Sequence, residues 1–235
     1  MMKIWESKSA QTCCTHAMDC SFGMQKQPYT IGVFLKNPFT LRVKTRLARE
    51  IGQENANTLY LSLLKILFQT LGIFPRERIM LSVAGGFEHL QLPFPHEHQA
   101  NGNLGDRMAT FFGSHLRWSQ KVILIGSDCP YTVADSMYQA LSALEDSDVV
   151  IQPAIDGGYT LIGMNQFHKG LFTNMPWSTD QLLKASLAAL SYLNLKCTLL
   201  ESKRDIDTLE DLKIWLEGGG SDILQTYIPG WEFGL

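Results

Sequence analysis

From Tyr29 onward the chain alternates short, wholly apolar runs with longer segments whose apolar residues recur at helical spacing. That alternation is the mark of a mostly parallel sheet with helices on both faces. The clearest run, Val122-Ile-Leu-Ile-Gly126, holds β-branched and Leu residues with no polar alternation, so it reads as a central strand buried on both sides. Tyr29–Leu35 and Ile79–Val83 precede it as strands, and Asp148–Gln152, Tyr159–Met164 and Cys197–Glu201 follow it. The helical pattern is strongest over Arg46–Leu71, where Leu59, Leu63, Leu64, Ile66, Leu67 and Leu71 repeat with helical spacing and Gly52 predicts a break. Further helices are predicted over Leu104–Trp118, Val133–Leu144 and Ser178–Leu193, with a last one running from its cap Thr208 to about Leu216. Thr208 followed three residues later by Asp211 resembles a capping box with Asp in place of Glu.

Between these elements, Phe87–Asn103 carries Pro93, Pro95, three His and little periodicity, and reads as a long loop of the functional kind. Asp156-Gly-Gly158 forces a turn, and Gly218-Gly-Gly220 breaks the structure after the last helix. The pattern therefore divides the chain into a poorly ordered extension (1–28), one α/β domain (29–217) and an apolar C-terminal tail (218–235). Trp231 and Phe233 suggest that the tail docks onto the body or a partner.

Composition narrows the classes. With 235 residues, 45% hydrophobic and 18% charged, one large core is expected. A net charge of −3 without long basic blocks argues against a nucleic-acid partner, and no run reaches the roughly 18 apolar residues of a membrane span. Five cysteines, an odd number in a chain large enough to fold without staples, predict a reducing, cytoplasmic setting. Cys13, Cys14, His16 and Cys20 offer four zinc donors, but their spacing matches no usual zinc pattern, so a loosely ordered extension is the better reading. Met24 is an alternative start, which the intact mass of the native protein would reveal.

Three acidic sites stand out: Asp128 just beyond the central strand, Asp156 before its glycine pair, and Asp205-Ile-Asp207 before the last helix. Ligands in open α/β sheets sit beyond the carboxyl ends of strands. Mg²⁺ needs only one or two carboxylates when phosphate and water complete its shell, so Asp128 with Asp205 or Asp207 would suffice. Taken singly, each of these residues is as readily a cap or turn former. Lys36, Arg42, Lys44 and Arg46 fall between a strand and a helix start, where cations oppose the helix dipole and so ask for an anionic partner such as a diphosphate. No Walker loop and no G-x-G-x-x-G is present, which disfavours a P-loop ATPase or a Rossmann dehydrogenase. Gly102-Asn-Leu-Gly-Asp-Arg-Met108 enters a helix, so the amides near Gly102 and the charge of Arg107 could face the same ligand. His96-Glu-His98 would share a metal if it were a strand, but Pro93 and Pro95 favour a loop; Cys129 has no His beside it and reads as a packed thiol.

Six segments then occur in order: Phe34-Leu-Lys-x-Pro…Val43-Lys-Thr-Arg-Leu47, Gly102-x-Leu-Gly-x-Arg-Met108, Gly126-Ser-Asp-Cys-Pro130, Asp156-Gly-Gly-Tyr-x-Leu-Ile-Gly163, Phe172…Pro176-Trp177-Ser-Thr179 and Asp205-Ile-Asp-Thr-x-Glu-Asp-Leu212. Over Ile31 to Leu216 they resemble a bacterial transferase family of glycosyltransferase-A fold, the arsenosugar-biosynthesis or radical-SAM-associated glycosyltransferases of the nucleotide-diphospho-sugar transferase superfamily. The resemblance implies Asp128 as the residue of metal and diphosphate. More distant guanylyltransferase relatives suggest Asp207, less directly Asp205, as a second ligand. Two positions depart from the pattern: Leu41 stands where the family usually has Gly, and Asn103 where it usually has Asp.

The leading expectation is metal-dependent (Mg²⁺ or Mn²⁺) transfer of a sugar from a nucleotide-diphosphate sugar to a small acceptor. Asp128, Asp205 and Asp207 would serve the metal, and Lys36, Lys44, Arg46, Arg107 and Gly102 the nucleotide diphosphate. Asp156 would act as base, with Gly157, Gly158, Tyr159 and Trp177 at the acceptor. Nucleotidyl transfer from a nucleoside triphosphate to a phosphorylated acceptor is the alternative, disfavoured by the lack of a glycine-rich first loop. A non-catalytic nucleotide-binding module is the third.

Overall fold

The computed structural model describes residues 26–131 and 134–228. Residues 1–25 of the expected extension (1–28), with its cysteine cluster, and the tail residues Trp231 and Phe233 lie outside the described residues, whereas residues 27 and 28 begin the first strand.

One seven-stranded sheet organises the molecule. Its strands are β1 (Gln27–Lys36), β2 (Ile79–Ala84), β3 (His96–His98), β4 (Ser119–Gly126), β5 (Val149–Pro153), β6 (Tyr159–Met164) and β7 (Cys197–Leu199), in the order β3-β2-β1-β4-β6-β5-β7. All neighbours are parallel except β6, which runs antiparallel to both β4 and β5. The expected fold is therefore present. β3 is an addition: the sequence reads as loop there, because a three-residue strand flanked by prolines is too short to show periodicity. In it His96 and His98 both lie against the ring of Phe87. Their shared face is thus occupied by an aromatic contact.

The helices are α1 (Ala48–Ile51), α2 (Gln53–Leu71), α3 (Leu104–His115), α4 (Ala134–Ala143), α5 (Leu182–Tyr192), α6 (Leu209–Trp215) and α7 (Ser221–Tyr227). Gly52, at φ 83, separates α1 from α2 at the expected break. α5 begins four residues later than its pattern suggests, because residues 178–181 form a turn with Ser178 at φ 62. α6 starts at Thr208, whose hydroxyl accepts from the Asp211 amide while Asp211 accepts from the Thr208 amide. After α6 the chain continues through Leu216–Gly220, where Gly219 at φ 100 is non-helical and kinks the path, and α7 follows it.

Two apolar layers cover the sheet. α2 and α4 close one face around Ile31, Val33, Leu64, Ile123 and Met137; α3 and α5 close the other around Met108, Phe112, Leu124, Ile162 and Leu190. A third cluster, built on Leu47, Leu59, Ile206, Leu212 and Trp215, fastens the 205–207 segment and α6 to the first helices. No helix among the described residues is long and apolar enough to cross a membrane.

Candidate functional site

The carboxyl ends of β1 and β4, the loop after β1, the β5–β6 turn and the segment after β7 enclose a cleft of about 690 Å³. Its charged lining comprises Lys36, Lys44, Arg46, Arg107, Asp128, Asp156, Asp180, Asp205 and Asp207.

The acids arrive from three places. Ile206 is fully buried in the third cluster and its amide donates to the Asp128 carbonyl (3.1 Å), which ties the post-β7 segment to the end of β4. With Ile206 turned inward, its neighbours Asp205 and Asp207 line the cleft. Asp156 closes the β5–β6 turn, where its Oδ1 accepts from the Gly158 amide at 3.0 Å. Asp156, Asp205 and Asp207 each present an oxygen within 4.8 Å of the others. Burial, then the charges of Asp207 and Asp156, push Asp205 up to about 6. Burial also raises Asp207, against the pull of Lys44. Three crowded oxygen donors, two of them half-buried and one exposed, fit a hard divalent cation, whose charge offsets both desolvation and mutual repulsion.

Asp128 stands outside that group of three. Its Oδ1 is 2.5 Å from the Lys44 ammonium, which also donates to the Ile206 carbonyl (2.5 Å) and lies 3.6 Å from Asp207. The Lys44 side chain is 1% exposed, against 45% and 39% for its two carboxylate partners. A buried ammonium stays charged only if paired, and here it bridges two of the expected metal ligands. Lys44 also has φ 50, a left-handed conformation held by its surroundings in a residue other than glycine. Lys44, expected at a diphosphate, lines the cleft and here pairs with Asp128 and Asp207. Lys36 and Arg46 remain exposed in the cleft.

Three other residues expected at the ligand lie outside the cleft lining. Gly102, at φ 105, lies outside the cleft lining, and its carbonyl accepts from Arg107 Nε (2.8 Å). Gly157, at φ 91, is pressed against the Asp180 backbone; a Cβ there would come within 2.3 Å of the Asp180 carbonyl oxygen. Trp177 packs its indole on Gly105 in the first turn of α3. All three support the walls, whereas Gly158, Tyr159 and Arg107 line the cleft. Arg107 is aimed by Gln99, whose Oε1 accepts at 3.0 Å. The two departures from the family pattern prove mild: Asn103 caps α3 with a complete capping box, and Leu41 packs on Gly85 without a positive φ.

Sequence reasoning missed Tyr60, Gln99 and Asp180. Tyr60 sits on the buried face of α2; its hydroxyl accepts from the Lys36 amide (2.9 Å) and shares a hydrogen bond with Ser127 (3.0 Å), pinning the ends of β1 and β4 together. Burial, with the Asp128 charge, raises its phenol far above the usual range. A hydroxyl-bearing ring within the apolar stripe was the only available signal. A second cavity of about 400 Å³ adjoins the cleft, sharing Lys36, Gln99 and Arg107 and adding Arg42 and Asn101.

Comparison with known proteins identifies the fold. A protein from Desulfovibrio desulfuricans G20, provisionally described as a nucleotide-diphospho-sugar transferase, superposes with a TM-score of 0.77 at 24% identity, over 85% of this chain and 90% of that one. The fold is that of the nucleotide-diphospho-sugar transferases. More distant structures share it. CMP:2-keto-3-deoxy-manno-octonic acid synthetase complexed with CTP aligns at TM-score 0.53 and 9% identity, over 83% of this chain and all of that one. The manganese complex of Rv0371c from Mycobacterium tuberculosis H37Rv aligns at 0.50 and 13%, over 82% and 100%. In sequence, residues 80–179 match a family described as an uncharacterized protein conserved in bacteria (DUF2064). No curated protein matches the chain in sequence. In this chain the carboxylate group and the cationic first loop line one cleft at the carboxyl edge of the sheet.

Proposed function

We propose that the cleft binds a nucleotide-diphosphate sugar with a divalent cation and transfers the sugar to a small hydroxyl acceptor. The observation that carries this reading is the convergence of Asp156, Asp205 and Asp207 within 4.8 Å, in a cleft that also holds the exposed Lys36 and Arg46. Asp205 and Asp207 hold the cation, which when bound offsets negative charge on the departing diphosphate. Lys36, Arg46 and Arg107 steady the diphosphate. Asp156, the exposed member of the three, meets the acceptor. The acceptor oxygen forms a bond to the anomeric carbon as the carbon–oxygen bond to diphosphate breaks. The nucleoside diphosphate leaves with the electron pair, and the hydroxyl proton passes to Asp156. Asp128 contributes as the counter-ion that positions Lys44 between the two sides.

Nucleotidyl transfer is the second reading, favoured by the likeness to the CTP-bound synthetase. The test is product analysis: the full chain is incubated with Mn²⁺ or Mg²⁺ and radiolabelled nucleotide sugars or nucleoside triphosphates, with a mixed acceptor panel. Sugar transfer releases nucleoside diphosphate; release of pyrophosphate instead supports the second reading, and neither product supports a binding module. Nucleotide and metal should also raise the melting temperature by mass action, and Asp207→Asn should lose the metal-dependent part of that rise while the unliganded protein stays folded.

A further inference from the structure

We infer that the acceptor half of the cleft takes a neutral hydroxyl compound with an apolar face and rejects phosphorylated acceptors, an inference that rests on the nucleotide-sugar reading above. Charge is divided unevenly across the cleft. Every Lys and Arg in its lining comes from the end of β1, the loop after it, or α3: Lys36, Lys44, Arg46 and Arg107. Arg107 is held toward the β2–β3 side by Gln99, which follows β3 and donates to the Ser82 carbonyl of β2. The charged groups contributed by the β5–β6 turn, the start of α5 and the segment after β7 are all carboxylates: Asp156, Asp180, Asp205 and Asp207. Four carboxylates outweigh one divalent cation, so this half stays negative when a cation is present.

Lys44, the cation nearest those acids, is committed to Asp128, Asp207 and the Ile206 carbonyl. With the diphosphate engaging Lys36, Arg46 and Arg107, a phosphate group on the acceptor would meet the carboxylates without a cation left to pair with, and such like-charge juxtaposition selects against a ligand. The rest of this half combines the hydroxyl-bearing Tyr159, Thr160, Ser178 and Thr179 with an apolar floor. Met108 from α3, Leu124 from β4, Ile162 from β6 and Leu182 from the start of α5 line it together. A ring or alkyl face is matched by that floor, and its hydroxyls by the carboxylates of Asp156 and Asp180 at the rim, which accept hydrogen bonds from neutral donors.

The experiment uses matched probe pairs that differ only in a phosphate: phenyl β-glucoside against its 6-phosphate, and glycerol against glycerol 3-phosphate. Binding to the full chain is followed by saturation-transfer NMR with Mn²⁺ and whichever of UDP, GDP, CDP or ADP most raises the melting temperature. The neutral member of each pair should bind at least tenfold more tightly, and phenyl glucoside more tightly than glycerol. Asp180→Lys, at an exposed rim position, should narrow the ratio at least tenfold with no change in melting temperature. Equal or tighter binding of the phosphorylated members, no binding by either member, or a ratio unmoved in Asp180→Lys would overturn the inference. If no nucleoside diphosphate shifts the melting temperature, the nucleotide-sugar reading is what fails. The pairs, measured then without nucleotide, still decide the preference of this half.

Discussion

Lys44 is the residue through which the loop after β1 acts on the acids across the cleft. Its ammonium occupies space that a cation bound at Asp207 would approach, so Lys44→Met should raise Mn²⁺ affinity in nucleotide-free protein. Removing one positive charge beside a divalent site is worth about 1 kcal/mol, or about fivefold. Titration calorimetry of wild type and variant checks this; weaker Mn²⁺ binding in Lys44→Met would show that the lysine organises the carboxylates instead of competing for them. Asp128, Asp156, Asp205 and Asp207 were legible in sequence, because each follows a strand at the sheet's carboxyl edge; Asp180, which precedes α5, was not. The Lys44–Asp128 pair was not, since nothing local to Val43-Lys-Thr45 signals that this side chain will be buried against residues more than eighty positions away. Cys197 supplies a second test at this scale. Burial pushes its thiol up to about 11, so the thiolate that reacts with iodoacetamide is scarce near neutrality. Alkylation at Cys197, followed by peptide mass mapping, should be slow at pH 7.5 and climb steadily until pH passes about 11, whereas an unperturbed thiol would level off near pH 9.

At the scale of elements, α6 positions Asp205 and Asp207 indirectly. Asp211 accepts from the amides of Asp207 and Thr208 and from the Thr208 hydroxyl, and it pairs with Arg204 at 2.7 Å. One carboxylate thus caps the helix and anchors the segment that carries the acids. Asp211→Ala should cost about 1 kcal/mol, lowering the melting temperature by about 2–4 °C, and should weaken Mn²⁺ binding although Asp211 lies outside the cleft lining. An unchanged Mn²⁺ affinity in a folded variant would reduce Asp211 to a cap alone. The Thr-x-x-Asp spacing made this box readable in advance, as local hydrogen bonds are written in local sequence. The start of α5 was misread because Thr179 closes a turn there, its hydroxyl accepting from the Gln181 amide at 3.3 Å and donating to the Pro176 carbonyl at 2.8 Å, while the Leu183 amide just beyond donates to the distant Gly157 carbonyl at 2.9 Å.

For the whole molecule, the decisive feature is β6, the one strand that reverses direction and joins the β4 side of the sheet to β5 and β7. Its direction was not readable from hydrophobicity: Thr160 to Met164 are buried throughout, and a strand covered on both faces shows the same apolar run whichever way it points. What sequence did preserve is the glycine that lets it fit. Gly163 lies opposite Ile123 on β4 and Val150 on β5, and a Cβ there would meet Ile123 Cγ2 at 2.7 Å, Val150 Cγ1 at 2.9 Å and Leu144 Cδ1 at 3.3 Å. All three neighbours are fully or almost fully buried, so none has space to retreat. Gly163→Val should therefore destabilise by about 1–3 kcal/mol through overpacking, an effect that β-branched strand propensity does not reverse. Because β6 also carries Tyr159 and Ile162 into the cleft, the damage should appear as function too: residual folded protein should bind nucleotide and Mn²⁺ less well than wild type. Urea unfolding combined with a nucleotide-dependent thermal shift measures both. A variant with wild-type urea midpoint would mean that β4 and β5 can separate freely around β6, and the continuous sheet would no longer explain how acids distant in sequence hold a common geometry.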